Sequence, residues 1–233
     1  MTKRTLRNTK KIRKHKIFGT NIRDKIKFKQ ISNVLETAYK YGFRHFDTSP
    51  LYYSYNLFKK FLRDKPDIIV TTKVRFNYIE KDLLELRQLK KTHGRQINSV
   101  LFHCWNRDKG NHLVDNFTSK YTENHFLKDL KTFKTVALKL NIRDIGITNL
   151  YDFSEDLQEK IGKILKVKNK KTIIQISYYD LEDNKLQNKY KYRLYHSTIL
   201  FSKNAKIREN IYKVAIPILF STKENRIKKL SQL

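Results

Sequence analysis

The chain has one cysteine, Cys104, three prolines, six glycines, one tryptophan and only 22 acidic residues among 233. A single cysteine excludes an intrachain disulfide and any Cys-x-x-Cys zinc site, and it fits a reducing, intracellular compartment. Six glycines leave no glycine-rich loop that could cradle a nucleotide phosphate. His93, His103 and His112 stand at spacings that match no metal-ligand pattern, so no metal is expected. The apolar run at 214–220 is far shorter than the roughly 18 residues a membrane span needs, and the N-terminus has no apolar signal region. A cytoplasmic protein without membrane association is the expectation. Few acids against 51 lysines and arginines give a net charge of +29. Such a charge attracts polyanions. Heavy use of Lys, Asn, Ile and Tyr is also what AT-rich coding imposes, and both explanations stay open. Residues 1–15 form a basic arm, and no acid precedes Asp24. The arm could direct nuclear localisation or give weak, non-specific nucleic-acid binding, an affinity that salt would lower steeply.

What the sequence does have is an alternation of short apolar strands with amphipathic helices. KIFGT at 16–20 reads as a strand, and Ile31, Val34, Leu35 and Ala38 mark a helix that exits at Gly42. A strand at 43–46 follows, then a helix with Leu57, Phe58, Phe61 and Leu62 on one face, ended by Pro66. The β-branched run 68–72 is a strand closed by Lys73. Leu83, Leu86 and Leu89 mark a helix that stops at Gly94, before a strand at 100–102 closed by His103. A helix carrying Phe126, Leu130, Phe133 and Ala137 leads to a strand at 144–147, and a helix capped by Ser154 leads to one at 173–176. Beyond Asp180 the pattern weakens to strands at 195–201 and 215–220 and helices at 204–212 and 223–230. Nearly all-apolar strands between amphipathic helices indicate a parallel sheet covered on both faces. The expected fold is one α/β domain over 16–233, a (β/α)8 TIM barrel shortened after strand six, with incomplete closure as the alternative.

Chemistry concentrates in YGFRHFDTSPLYY at 41–53. Asp47 closes a strand, and Tyr52 follows five residues later in a loop broken by Pro50. Lys73 and His103 close the next two strands, and the carboxyl ends of strands are where an α/β barrel keeps its active site. Reduction of a carbonyl by hydride needs an acid for the developing alkoxide, and a phenol with a pKa of about 10 is a poor donor at neutral pH. A neighbouring ammonium favours the phenolate, a carboxylate can hold that ammonium, and a histidine can orient the carbonyl oxygen.

The segment resembles the aldo-keto reductase motif Gly-x-Arg-x-x-Asp-Thr-(Ala/Ser)-x-x-Tyr, and FDTSPLYY, VTTKV and LFHCW are similar to that family's catalytic contexts. The resemblance implies a monomeric reductase of small aldehydes or ketones, with Asp47, Tyr52, Lys73 and His103 as its tetrad. Gly146-Ile147-Thr148-Asn149 is similar to the family's Gly-Val-Ser-Asn. It implies that Thr148, Asn149 and Gln175 hold the nicotinamide carboxamide. Ser221 and Arg226 resemble the pair that grips the 2′-phosphate, which favours NADPH over NADH, and Gly19, Thr20 and Ser197 complete the implied cofactor set. The chain departs from the family at His196, which precedes Ser197, and at Phe220, Lys229 and Leu230 near the adenosine site. Tyr53 replaces the glycine that usually follows the catalytic tyrosine, and the chain stops at Leu233 without the family's C-terminal loop. These departures motivate a second expectation, a catalytically inactive relative kept for binding or regulation.

Overall fold

The computed structural model describes residues 16–22, 28–106, 111–112, 121–150, 153–168, 172–177, 193–197 and 215–232. The basic arm and the helix expected at 204–212 lie outside them. The first half of the chain holds β1 (Ile17–Gly19), α1 (Phe28–Lys40), β2 (His45–Asp47), α2 (Tyr55–Phe61), β3 (Ile69–Arg75), α3 (Ile79–His93) and β4 (Ile97–His103). There follow β5 (Trp105–Asn106), β6 (Asn111–His112), α4 (Glu123–Lys139), β7 (Asp144–Thr148), α5 (Glu155–Leu165), β8 (Ile173–Ser177), β9 (Arg193–Ser197), β10 (Ala215–Leu219) and α6 (Glu224–Gln232). The chain divides into two units, one of residues 1–71 and 194–233 and one of residues 72–193.

In the first unit β1 lies between β10 and β2, all parallel, with Ile17 opposite both Ile218 and His45. β10 pairs with β9, and β2 pairs with the start of β3, Asp47 opposite Thr71. The core is aromatic: the ring of Phe18 meets those of Phe43 and Phe46, and Phe46 packs on Phe58 and Phe61 at 5.7 and 5.6 Å between centroids. Helix α1 exits through Gly42 at φ +89, the left-handed conformation that the glycine's place after the apolar stripe implies. β2 starts at His45 rather than at residue 43. Phe43 N–H is bonded back to the carbonyl of Ala38 in α1, and the Arg44 guanidinium donates to the carbonyls of Tyr39 and Phe43.

The second unit orders the rest of β3, then β4, β7 and β8, in parallel. Phe102 packs between Phe126 and Phe133, so a second phenylalanine cluster fixes α4 on this sheet. α4 opens on a capping box in which Thr122 and His125 satisfy each other's backbone N–H groups, and α5 is capped by Ser154 as its sequence implies. β3 runs on to Arg75, so Lys73 lies inside the strand rather than closing it. The antiparallel ribbon β5–β6, with Trp105 opposite His112, has no counterpart in the sequence-based expectation. Among the described residues no helix is long and apolar enough to cross a membrane.

Candidate active site

Asp47 ends β2 in register with Gly19 of β1 and Thr71 of β3, and its side chain is 2% exposed. Two backbone bonds lock this row: Thr20 N–H donates to the Asp47 carbonyl at 2.9 Å and Thr48 N–H to that of Thr71 at 2.8 Å. Thr20 is fully buried, and its carbonyl accepts from Ile22 N–H and from the Ser54 hydroxyl. The Thr20 hydroxyl itself has no hydrogen-bond partner among the described residues. Tyr52 sits half-buried on a tight turn, its N–H on the Ser49 carbonyl and its carbonyl accepting from Tyr55, which starts α2. The first unit therefore gathers Gly19, Thr20, Asp47 and Tyr52 at the carboxyl ends of β1 and β2. Ser197 ends β9 opposite Ile218, while Ser221 is buried just past β10. The Ser221 hydroxyl accepts from Lys223 N–H at 3.1 Å and so shapes the entry to α6, on which Arg226 is exposed.

In the second unit Lys73 is buried to 2% exposure in β3. His103 ends β4, and the next residue ties β4 to β7: Cys104 N–H donates to the Thr148 hydroxyl at 3.0 Å. Thr148 stands opposite Gln175, and Asn149 N–H donates to the Gln175 carbonyl at 2.8 Å. Asn149 has φ +55, a left-handed conformation that asparagine accepts more readily than most side chains. His103, Thr148, Asn149 and Gln175 thus form one row across β4, β7 and β8. His103 Nδ1 and Gln175 Oε1 are buried with no hydrogen-bond partner among the described residues, as polar atoms facing a ligand site would be. Cys104 is a buried core residue, and among the described residues no cluster could hold a metal ion.

Burial, and after it the positive charges of Lys73 and Arg75, hold the His103 pKa well below the ordinary imidazole value. The ring is therefore neutral at neutral pH, with one nitrogen to donate and one to accept. In the unfolded chain the same ring takes a proton near pH 6.5, so unfolding below that pH binds a proton that the native state refuses. The stability that His103 contributes is present above about pH 6.5 and is lost as pH falls toward its depressed native value. Urea titrations from pH 7.5 to 5 should show a falling midpoint that largely disappears in a His103→Gln variant.

One ion pair of this unit carried no signal in the sequence. Arg75 donates three hydrogen bonds to Asp82 of α3, and no spacing rule joins a strand's last residue to a carboxylate in the next helix.

The Aldo/keto reductase family model matches residues 17–197. No curated protein sequence matches the chain. Among solved structures the chain is similar to an aldo/keto reductase from Brucella melitensis, at 17% identity and a TM-score of 0.62 over 91% of this chain and 85% of that one. It is similar to MGS-M4, an aldo-keto reductase from a Medee basin deep-sea metagenome library, at 19% identity and TM-score 0.61 over 91% and 82%. A mutant of Gox0644 in complex with NADPH matches at 18% identity and TM-score 0.63, over 92% of this chain and 81% of that one. At these identities the likeness speaks for the fold, an α/β barrel of aldo-keto reductase type with a shortened last third.

Proposed function

Because the chain belongs to the aldo/keto reductase family, we propose that it is an NAD(P)H-dependent oxidoreductase that reduces an aldehyde or ketone through Asp47, Tyr52, Lys73 and His103. The observation that carries this is the burial of the Lys73 ammonium inside β3. Burying a charge is costly unless a counter-charge and a purpose go with it. Asp47, a carboxylate buried to the same degree, is the counter-charge in this reading.

In this mechanism Tyr52 hands its phenolic proton to the carbonyl oxygen as the alkoxide develops. Lys73 stabilises the resulting phenolate, and Asp47 keeps that ammonium oriented. Neutral His103 donates a hydrogen bond to the substrate oxygen and fixes its distance from Tyr52. The buried, unpartnered Gln175 Oε1 suits the amide donor of a nicotinamide carboxamide, and the Thr148 hydroxyl, already accepting from Cys104, has its own proton left to give to the carboxamide oxygen. Asn149 would complete that clamp, Gly19, Thr20 and Ser197 would line the approach, and Ser221 with Arg226 would take the adenosine phosphate, which favours NADPH. When bound, the dinucleotide supplies the hydride.

The test is an NADPH titration, read by Trp105 fluorescence, followed by a panel of aldehydes and ketones. Binding with turnover on at least one carbonyl is expected. Tight binding without turnover across the panel would replace this reading with that of an inactive, cofactor-binding relative, and absence of binding would remove both.

A further inference from the structure

We propose that the rim at the amino ends of β4, β7 and β8, opposite the carboxyl ends that carry His103, Thr148 and Gln175, docks the phosphate backbone of double-stranded nucleic acid. These strands are parallel, so each helix of the second unit runs back to the rim before the next strand begins: α3 ends at His93 before Ile97, α4 at Lys139 before Asp144, and α5 at Leu165 before Ile173. Charge is sorted along all three. Their first turns carry Glu80 and Asp82, Glu123, and Glu155 and Asp156. Their ends and the links that follow present Lys91, Arg95, Lys139, Arg143, Lys166 and Lys168, all exposed. The described residues of the rim hold a single carboxylate, Asp144, which is buried and 3.9 Å from Arg143.

Away from the rim, exposed lysines of this unit have acids to meet: Lys160 pairs with Glu123 and Asp156, and Lys163 with Glu159. Lys91, Arg95, Lys139, Lys166 and Lys168 have no ion-pair partner among the described residues. A cation in the last turn answers the helix dipole, but that effect fades within the turn, and Arg95, Arg143 and Lys168 lie beyond it. The surroundings of these charges select the partner. The exposed large apolar side chains described in this unit, Tyr78 and Leu84, stand at the start and in the first half of α3. The rim therefore offers no apolar anchor for a lipid surface, no dry centre for a protein interface and no aromatic platform for unpaired bases. It is also held in shape, since Lys134 Nζ of α4 donates to the carbonyls of Ile164 and Lys166 at 2.7 and 2.9 Å. α3 packs on α4 and α4 on α5. With about 8–10 Å between neighbouring axes, the three ends span roughly 16–20 Å, the length of about five phosphates of one strand.

The experiment takes the full chain and a labelled, random-sequence DNA duplex of about 20 base pairs, and follows anisotropy between about 50 and 200 mM salt. One variant combines Arg95→Gln, Lys139→Gln, Lys166→Gln and Lys168→Gln. A control of equal charge loss combines Lys29→Gln, Lys60→Gln, Arg63→Gln and Lys228→Gln, all exposed in the first unit. The rim variant should bind about tenfold or more weakly and lose about two to four units from the slope of log affinity against log salt, while the control stays within about threefold of wild type. If the rim variant does not fold, the pair Arg95→Gln with Lys139→Gln and the pair Lys166→Gln with Lys168→Gln decide, each removing about one to two units of slope. Equal losses in rim and control would make net charge the cause and overturn the proposal. So would wild-type affinity in the rim variant with loss only on deleting residues 1–15, or failure of the duplex to bind when vesicles of anionic phospholipid do. The carbonyl panel has no bearing on these outcomes, so this inference and the reductase reading fail separately.

Discussion

Tyr52→Phe is expected to lower kcat for carbonyl reduction by about 10²–10⁴-fold while NADPH affinity stays within a few-fold of wild type. The substitution removes one hydroxyl from a half-buried ring on the turn between Ser49 and Tyr55. That turn is held by backbone bonds, so the loop should keep its shape and the loss should be chemical. Lys73→Met should give a similar loss, since it removes the cation that the proposed mechanism uses to stabilise the phenolate and leaves a side chain of comparable length in a buried place. The pair of variants should be far from additive, because each disables the same proton transfer. Stopped-flow turnover with a fixed aldehyde, alongside fluorescence titration of the cofactor, checks both. Wild-type turnover in Tyr52→Phe would end the acid assignment.

Gly146→Ala should destabilise the chain by on the order of 3 kcal/mol or more, or prevent folding. A methyl group on Gly146 would stand 2.0 Å from the carbonyl oxygen of Ile173 and 2.7 Å from its carbonyl carbon and Cβ. The obstructing atoms are the backbone and Cβ of Ile173 in β8, paired with β7 in that same register, so no side-chain rotation can relieve the clash. Two residues on, the same strand pair carries Thr148 opposite Gln175, and prising it open should also cost cofactor affinity. Gly94 serves as the control, because nothing lies within 4 Å of the position its Cβ would take. Urea unfolding of the two alanine variants should give a large drop for Gly146 and little for Gly94. Equal midpoints would show that β7 and β8 do not approach so closely.

Much of the fold was legible because apolar periodicity and helix punctuation are local. The stripe of Ile31, Leu35 and Ala38, the exit at Gly42 and the cap at Ser154 each needed only neighbouring residues, and each is found where those residues imply. Element ends were less legible where distant partners decide them. β3 continues through Lys73 because Val74 is buried and Arg75 is anchored by Asp82, and β2 starts late because Phe43 N–H is bonded back to Ala38 of α1. The candidate site was readable as residue types at strand ends, through its likeness to a known motif. Its electrostatics were not. The neutral state of His103 depends on burial and on cations carried by another strand, and neither is encoded near residue 103.

The two units differ in how the chain supplies them: residues 72–193 form a continuous segment, whereas the other unit needs both ends of the polypeptide. During synthesis at about 5–20 residues per second, β1 leaves the ribosome roughly 10–40 s before β10, its partner on one side. Through that interval β1 can pair with β2 but keeps an open edge, and Lys16 lacks the Ser231 carbonyl that it finally holds. The first strand made is among the last completed. The continuous segment can close while still tethered, so a nascent chain stalled with β8 emerged and β10 still within the ribosome should resist protease at α3, α4 and β7 and remain cleavable around β1.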